Sequence, residues 1–478
     1  MNDCDPHPWT QSNIDNRLAS VSLSYCMVSS RARAVSWRVL FQMATVGAYT
    51  ALVKVAGAAK VVFTARAFGM SDGLDAYLIA FLLPAFVTDT LAGSLNSALI
   101  PTFIEVRELE GRDAANRLYR TVLAAAVALL ILAALIFGLL ASRVLHLMAS
   151  SFDPPKLALT VSLFWVMLPM VPLTALSVTW RSILNTEGRF ALPAVVPALT
   201  PLASIAFLLR FSHTWGVYSL AAGTLVGTVL EAALLGASMV RHGFPILPRW
   251  CGRTAALNQV LGQYGPVIAG VLLLGGAPLI DQSIAAMLAS GSVAALNYGT
   301  RLSTVLIAVG PSAVATAILP HFSKLTVTED WAHIRQSLRG YAMVILAVTL
   351  PVIVGLIVFS EPLVRLFFER GQFTGANTGL VTAIQRFSLL QIPPAMVMAL
   401  TLRLISSMKA NQLLLRAAAF AACLNLGLDL LLTRWMGIAG ITLATSIVQF
   451  ATVIYLFYLM RTRLPASRNS SPSRATVS

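Results

Sequence analysis

Residues Gly69–Glu105 read GMSDGLDAYLIAFLLPAFVTDTLAGSLNSALIPTFIE, and the nature of this stretch decides the fold. A polar turn, Ser71-Asp72-Gly73, runs straight into Asp75. An apolar run follows, interrupted only by Pro84, Asp89 and a group of small residues. It is too long and apolar for a surface helix. An acid or proline at membrane depth faces other protein or a water-filled cavity. A second copy of the pattern lies near Ser290–Lys324. The whole chain has the same character: of 478 residues, 57% are hydrophobic and 11% charged, with mean hydropathy +0.78, whereas soluble chains are about 25% charged. The apolar runs are continuous over about 20 residues and lack the roughly ten-residue alternation of barrel strands. The expected class is an all-α polytopic membrane protein.

Twelve spans are expected, near 41–63, 74–102, 121–141, 157–179, 190–209, 216–240, 261–288, 293–319, 340–360, 379–404, 413–432 and 437–460. The net charge of +15 would suggest nucleic acid in a soluble chain. Here the basic residues sit in short loops, so they report topology. Arg31, Arg33 and Arg38, Arg107 to Arg120, Arg181 and Arg189, Arg241 to Arg253, Lys324 to Arg339, Lys409 and Arg416 fall on one side, with the C-terminal arginines. Arg66, Arg143, Lys156, Arg210, Arg365, Arg370 and Arg434 fall on the other. This bias places both termini in the cytoplasm. Residues 1–39 form a polar extension without the apolar core of a removable signal peptide, and 461–478 a polar tail expected to be disordered. Cys4, Cys26, Cys251 and Cys423 are scattered and read as free thiols. No phosphate-binding loop of the G-x-x-x-x-G-K-[ST] type is present.

The halves match at an offset of about 221 residues. Asp75-Ala76-Tyr77 aligns with Leu296-Asn297-Tyr298, Ile100-Pro101-Thr102-Phe103 with Leu319-Pro320-His321-Phe322, and Pro172 with Pro394. Arg181 to Leu184 aligns with Arg403 to Ser406, and Trp215-Gly216-Val217 with Met436-Gly437-Ile438. Five matches in order make a repeat. With six spans per unit, both units enter the membrane in the same sense and are related by an axis along its normal. The expectation is two six-helix bundles, 40–255 and 256–460, flanking a central cavity, which favours a transporter.

Charged groups inside the spans are the candidate site. Lys54 and Lys60 lie in the first span, about 9 Å apart in rise and well separated in angle. Both could line a cavity and attract an anion, or Lys60 could snorkel to the interface with Arg66. Arg301, in the eighth span, carries an insertion cost of at least about 2.5 kcal/mol. A carboxylate or an anionic substrate must offset it, and a guanidinium can grip a diphosphate bidentately. Asp75 could cap its helix, pair with a cavity cation or act in gating. Asp89 is expected as a gating or charge partner, and Glu231, Asp281 and Asp429 as ion-pair or hydrogen-bond partners. No paired carboxylates on one face, hydrolytic triad or metal cluster are read, so no catalytic residue, metal or cofactor is expected. Pro169, Pro172, Pro193, Pro197, Pro201, Pro393 and Pro394 predict kinks.

Three blocks resemble the MviN/MurJ family of the MOP (multidrug/oligosaccharidyl-lipid/polysaccharide) superfamily. They are Gly57–Gly69 with Asp75-Ala76-Tyr77 to Pro101, Gly291 through Arg301-Leu302 to Lys324, and Leu366 to Thr374, which is similar to the family's L-F-x-x-G-x-F-T loop. Asn185 to Phe190 is similar to its N-x-x-x-R-F. The resemblance implies a MATE-like flippase of the bacterial cytoplasmic membrane. It would move an undecaprenyl-diphosphate-linked saccharide, lipid II or similar, by alternating access. The cavity cations would fall on Lys54, Lys60 and Arg301, with Lys60 at the rim, and the acid on Asp75. Membrane lipids and cell-wall or polysaccharide synthesis proteins are the implied partners. The sequence departs from the family in having lysines at 54 and 60 instead of arginines, Val61 instead of an acid, and Ala85 and Thr88-Asp89 where the family has Asn and an Arg pair. The peptidoglycan members carry two further C-terminal helices. An exopolysaccharide or O-antigen repeat unit is therefore the alternative cargo, and a multidrug or cation antiporter a more distant one.

Overall fold

The computed structural model describes residues 36–308, 331–407 and 411–463. Most of the polar N-terminal extension, the Leu319–Phe322 motif, Lys324, Lys409 and the C-terminal tail lie outside the described residues. In chain order the helices are α1 Ser36–Phe68, α2 Asp72–Glu110, α3 Arg112–Leu139, α4 Ala141–Met148, α5 Pro154–Met167, α6 Met170–Thr186, α7 Ala191–Val195, α8 Leu199–Trp215 and α9 Tyr218–Arg241. The second half holds α10 Ala255–Gly275, α11 Ala277–Ala286, α12 Ser292–Gly299, α13 Trp331–Val358, α14 Ser360–Phe368, α15 Gly375–Leu389, α16 Ile392–Ser407, α17 Asn411–Met436 and α18 Ile438–Arg463. Residues 301–308 continue in helix after α12. No strand occurs among the described residues.

Eight of these helices are long and apolar enough to cross a membrane, and the pair α5 and α6, bent by 41°, makes a ninth. Expected spans divide at Leu168-Pro169 (157–179) and Leu390-Gln391 (379–404), where prolines predict kinks, and at Gly276 (261–288), where none is predicted. The physical cause is the same each time. Pro169, Pro278 and Pro393 stand at the start of the second piece, where a missing amide costs no helical bond but the preceding helix cannot continue.

The duplication is visible in the breaks. In the first half a long helix and a short one (α3, α4) precede a broken pair (α5, α6) and two long helices (α8, α9). In the second, α13 and α14, α15 and α16, then α17 and α18 repeat that order. Gly216 and Gly437, matched in sequence, both take positive φ, 53° and 58°, at the turn into the last helix of each half.

Where the core sits sets the position of the site. The largest apolar cluster draws on both halves, from Ala65, Leu74 and Tyr77 to Val293, Tyr298, Phe368, Phe373 and Ile441. A second cluster lies wholly within 95–260 and a third within 338–460. The halves therefore share a core at one end; toward the other, α10 of the second half adds Leu257 and Val260 to the cluster of the first, and the third cluster belongs to the second half alone. Helix α2, capped by Ser71, is 39 residues long, or about 58 Å at 1.5 Å per residue. It packs on α3, α5 and α6 of its own half and on α10 of the other. Within the first half, Gly223 and Gly227 form a G-x-x-x-G seam on α9 that brings its backbone onto α8. A Cβ at Gly227 would lie 2.5 Å from Thr200 Cα. That close approach places Thr224 and Glu231 beside α1.

Candidate functional site

At the shared-core end, the halves are joined by polar contacts as well as apolar ones. Asp75 is 1% exposed. Its Oδ2 accepts from the Gly291 amide at 2.7 Å and from Lys156 Nζ at 3.0 Å, and its Oδ1 accepts from the Ala294 amide at 2.9 Å. Asp75 does not cap its own helix, which Ser71 caps; it accepts instead from amides at the start of α12 in the opposite half. Lys156 also donates to Asp72 at 2.5 Å, and Ser290 donates to the same carboxylate at 2.7 Å. Tyr298 Oη donates to the Gly69 carbonyl at 2.9 Å, and the Gln372 amide to the Arg66 carbonyl at 3.0 Å. The Leu366–Thr374 loop thus has a structural meaning. Gly371, at φ +65°, lies so close to α1 that a Cβ would fall 2.3 Å from the Arg66 oxygen. Phe368 and Phe373 pack on the Tyr298 ring, with centroids 5.3 and 5.7 Å away.

Behind this seal lies a cavity of about 430 Å³, whose walls include Lys54, Gly57, Lys60, Tyr77, Glu231 and Arg301. Burial rises along α1 toward the seal: Leu52 and Val55 are exposed, whereas Ala65 is fully buried. Lys54, Gly57 and Lys60 are three residues apart, a spacing that winds slowly round the helix and keeps them on one broad face. The Arg301 guanidinium lies across that face at Gly57. A Cβ there would be 3.2 Å from Nη2, so the glycine makes room for the arginine. Neither the Arg301 guanidinium nor Lys54 forms a hydrogen bond or ion pair with a described residue, and Arg301 Nε is buried without a partner.

Lys60 does not occupy the rim expected for it. It is the deeper of the two lysines, donating to Tyr77 Oη and Thr224 Oγ1, both at 3.2 Å, and standing 5.7 Å from the Tyr77 ring centroid. Lys54 is the exposed one. Glu231 is the wall residue that the sequence reading did not place there. It is an ion-pair partner as expected, with Oε1 3.6 Å from Arg181 Nε, but it is also on the cavity surface. Asp89, expected in gating or charge pairing, is exposed on α2 and has neither a hydrogen bond nor a contact ion pair among the described residues, but it lies within electrostatic reach of Arg181.

A second polar centre lies inside the C-terminal half, where Asp281 and Asp429 are the hydrogen-bond partners expected, brought together from two different helices and not from one face. Asn425 on α17 donates to Asp281 Oδ1 on α11 at 2.9 Å and also to Asp429 Oδ2. Thr445 on α18 reaches Asp281 Oδ2 at 3.4 Å. Asp429 is fully buried. Two carboxylates sharing one amide repel unless a proton or cation lies between them. Carboxylate, amide and hydroxyl oxygens are the donor set of a hard cation.

A sequence profile described as lipid II flippase MurJ matches residues 64–472. The lipid II flippase MurJ of Burkholderia cenocepacia is 31% identical over 351 residues, covering 70% of this chain and 67% of that one. A probable lipid II flippase MurJ of Rhizobium meliloti is 27% identical over 432 residues, 87% and 79% of the two chains. Among solved structures, a lipid II flippase MurJ in an inward closed conformation superposes with a TM-score of 0.76 at 22% identity, covering 87% of each chain. An inward-facing multidrug resistance MATE transporter of the MOP superfamily superposes with a TM-score of 0.70 at 14% identity, covering 86% of this chain and 94% of its own. Both structural matches speak to the fold.

Proposed function

The chain belongs to the lipid II flippase MurJ family, and from that premise we propose that it carries lipid II, a polyprenyl-diphosphate-linked saccharide, between the leaflets of a bacterial membrane by alternating access. It is a transporter and not an enzyme. The observation that carries the site assignment is Arg301 laid across Gly57 beside Lys54, neither cation having a partner among the described residues, in a cavity sealed at one end. An arginine at this depth needs an anion, and a diphosphate offers oxygens for a bidentate grip. Lys60 extends the positive field from deeper in the cavity.

The bundles 40–255 and 256–460 are the moving bodies in this reading. A shared core at the sealed end, and a third cluster that belongs to the second bundle alone, support a rocking motion about the cavity. Both termini are assigned to the cytoplasm by the distribution of Lys and Arg, so the cavity opens inward and the seal faces out. Asp75 and Lys156 would hold the seal until cargo binds.

The test is replacement. A bacterium depleted of its own lipid II flippase is given this chain or its Arg301→Ala form, and lipid II exposed on the outer leaflet is measured. Export restored by the wild type and lost with Arg301→Ala, at equal membrane abundance, supports both cargo and site. Export with both chains removes Arg301 from the site. Export with neither removes lipid II as cargo and leaves the exopolysaccharide repeat unit as the candidate to test.

A further inference from the structure

A second cavity, of about 620 Å³, lies at the end opposite the seal, between α1, the turn from α6 to α7 and the last turns of α9. Three basic groups border it: Arg189, Arg241 and His242. Both arginines are exposed, and neither guanidinium has a hydrogen-bond or ion-pair partner among the described residues. The His242 ring lies with Nδ1 2.7 Å from the Ser238 carbonyl. A carbonyl can only accept, so Nδ1 carries the proton of that bond, and Nε2 is free for a ligand. The walls are apolar, with Val46, Leu184, Leu192 and Leu234 among them, and among the described residues no acidic one lines the cavity.

The face of α9 that leads into this cavity decides what fits it. Val226, Val229, Leu230, Leu234 and Val240 are all exposed and fall on one side of a helix long and apolar enough to span a membrane. An exposed apolar stripe on a membrane span faces acyl chains. This one ends at Arg241, the last residue of α9, where a span meets the headgroups. Leu234, 47% exposed, belongs to the stripe and the cavity alike. A ligand that uses both has hydrocarbon along α9 and a phosphate between Arg189 and Arg241. A free phosphate would leave the apolar walls unused.

We infer that this cavity binds an anionic phospholipid, with its phosphate held by Arg189, Arg241 and His242 and an acyl chain lying along α9. Basic pockets between spans at headgroup depth bind lipid phosphates in this way. The site is separate from the cargo cavity and rests only on the chain spanning a membrane.

The experiment is native mass spectrometry of the full-length protein released from nanodiscs of phosphatidylcholine with phosphatidylglycerol, counting the phosphatidylglycerol retained. The wild type should keep one such lipid in preference to phosphatidylcholine. Arg189→Gln with Arg241→Gln should lower that retention by about thirtyfold, a factor of roughly five per arginine at a membrane surface. Leu234→Trp, which fills the cavity and keeps every charge, should lower it too. Arg117→Gln with Arg120→Gln, in another basic hollow of the molecule, should leave it unchanged. Wild-type retention in the double variant or in Leu234→Trp overturns the assignment. So does an equal loss in the Arg117/Arg120 control, which would mean general surface attraction. Displacement of the lipid by millimolar inorganic phosphate would make the occupant a free anion and overturns it as well.

Discussion

Replacing Asp75 by asparagine tests whether one carboxylate sets the closed end of the molecule. Its two oxygens serve three donors: Oδ2 takes Gly291 N–H and Lys156, and Oδ1 takes Ala294 N–H. Asparagine has one oxygen. Placed at the Oδ2 position, it leaves an NH2 facing Ala294 N–H. Placed at Oδ1, the NH2 faces both Gly291 N–H and the lysine. At least one buried donor loses its acceptor, costing about 1–3 kcal/mol, and a charge-assisted bond weakens by about 1 kcal/mol. Lys156 keeps Asp72, so its charge is not stranded. The loss of about 2–4 kcal/mol falls on the closed state alone, because two of the donors belong to the other half. A closed-to-open ratio should then drop by roughly thirtyfold to a thousandfold. The assay is double electron–electron resonance on a chain lacking Cys4, Cys26, Cys251 and Cys423, with spin labels at Ser151 and Arg370, exposed on opposite halves at this end. The wild type should give one short distance and Asp75→Asn a second, longer population. A distribution identical to that of the wild type would refute the reasoning.

Three further outcomes follow from the geometry. Gly371→Ala should open the same end in the same spin-label assay with helix content unchanged, since it adds about 1–2 kcal/mol of left-handed strain to a Cβ 2.3 Å from the Arg66 oxygen. Gly57→Ala should leave the seal distance alone but cut export by about threefold to tenfold, because the new methyl displaces the Arg301 guanidinium; full export would mean that its placement is unimportant. Asp429→Asn should raise the melting temperature by about 2–4 °C in cation-free buffer by removing the repulsion with Asp281, and should abolish any sodium-dependent stabilisation of the wild type. A melting curve with unchanged sodium dependence would exclude the pair as a cation site.

The sequence revealed what carried a visible local cost. Lys54, Lys60 and Arg301 stand out because a cation in an apolar run needs a reason, and all three reach one cavity. The repeat was legible from short matched motifs, and the structure adds the matched breaks and the turns at Gly216 and Gly437. What stayed hidden depends on contacts between distant segments. Asp75 could be singled out, but its donors lie on Lys156 and at the start of α12, far along the chain. Asp281 and Asp429 were each seen alone. Their pairing arises only when α11 packs on α17, and no periodicity within one helix can disclose that. The breaks at Leu168-Pro169 and Leu390-Gln391 have the predicted proline kinks as their signal, whereas the one at Gly276 is signalled only by Pro278, outside those proline clusters.

The seal has an electrical consequence. A polar cavity open to one solution takes nearly the potential of that solution, so the voltage across the membrane falls mostly over whatever closes the other end. Here that is a thin layer of main chain, three aromatic rings and the Asp72–Lys156–Asp75 group. Lys54 and Arg301, behind it, sit in a weak gradient. Lys156 sits in a steep one, where a full unit of charge moved across would exchange about 2.3 kcal/mol per 100 mV. A resting potential can therefore act on the contact proposed to hold the seal while leaving the residues proposed to bind the cargo almost untouched.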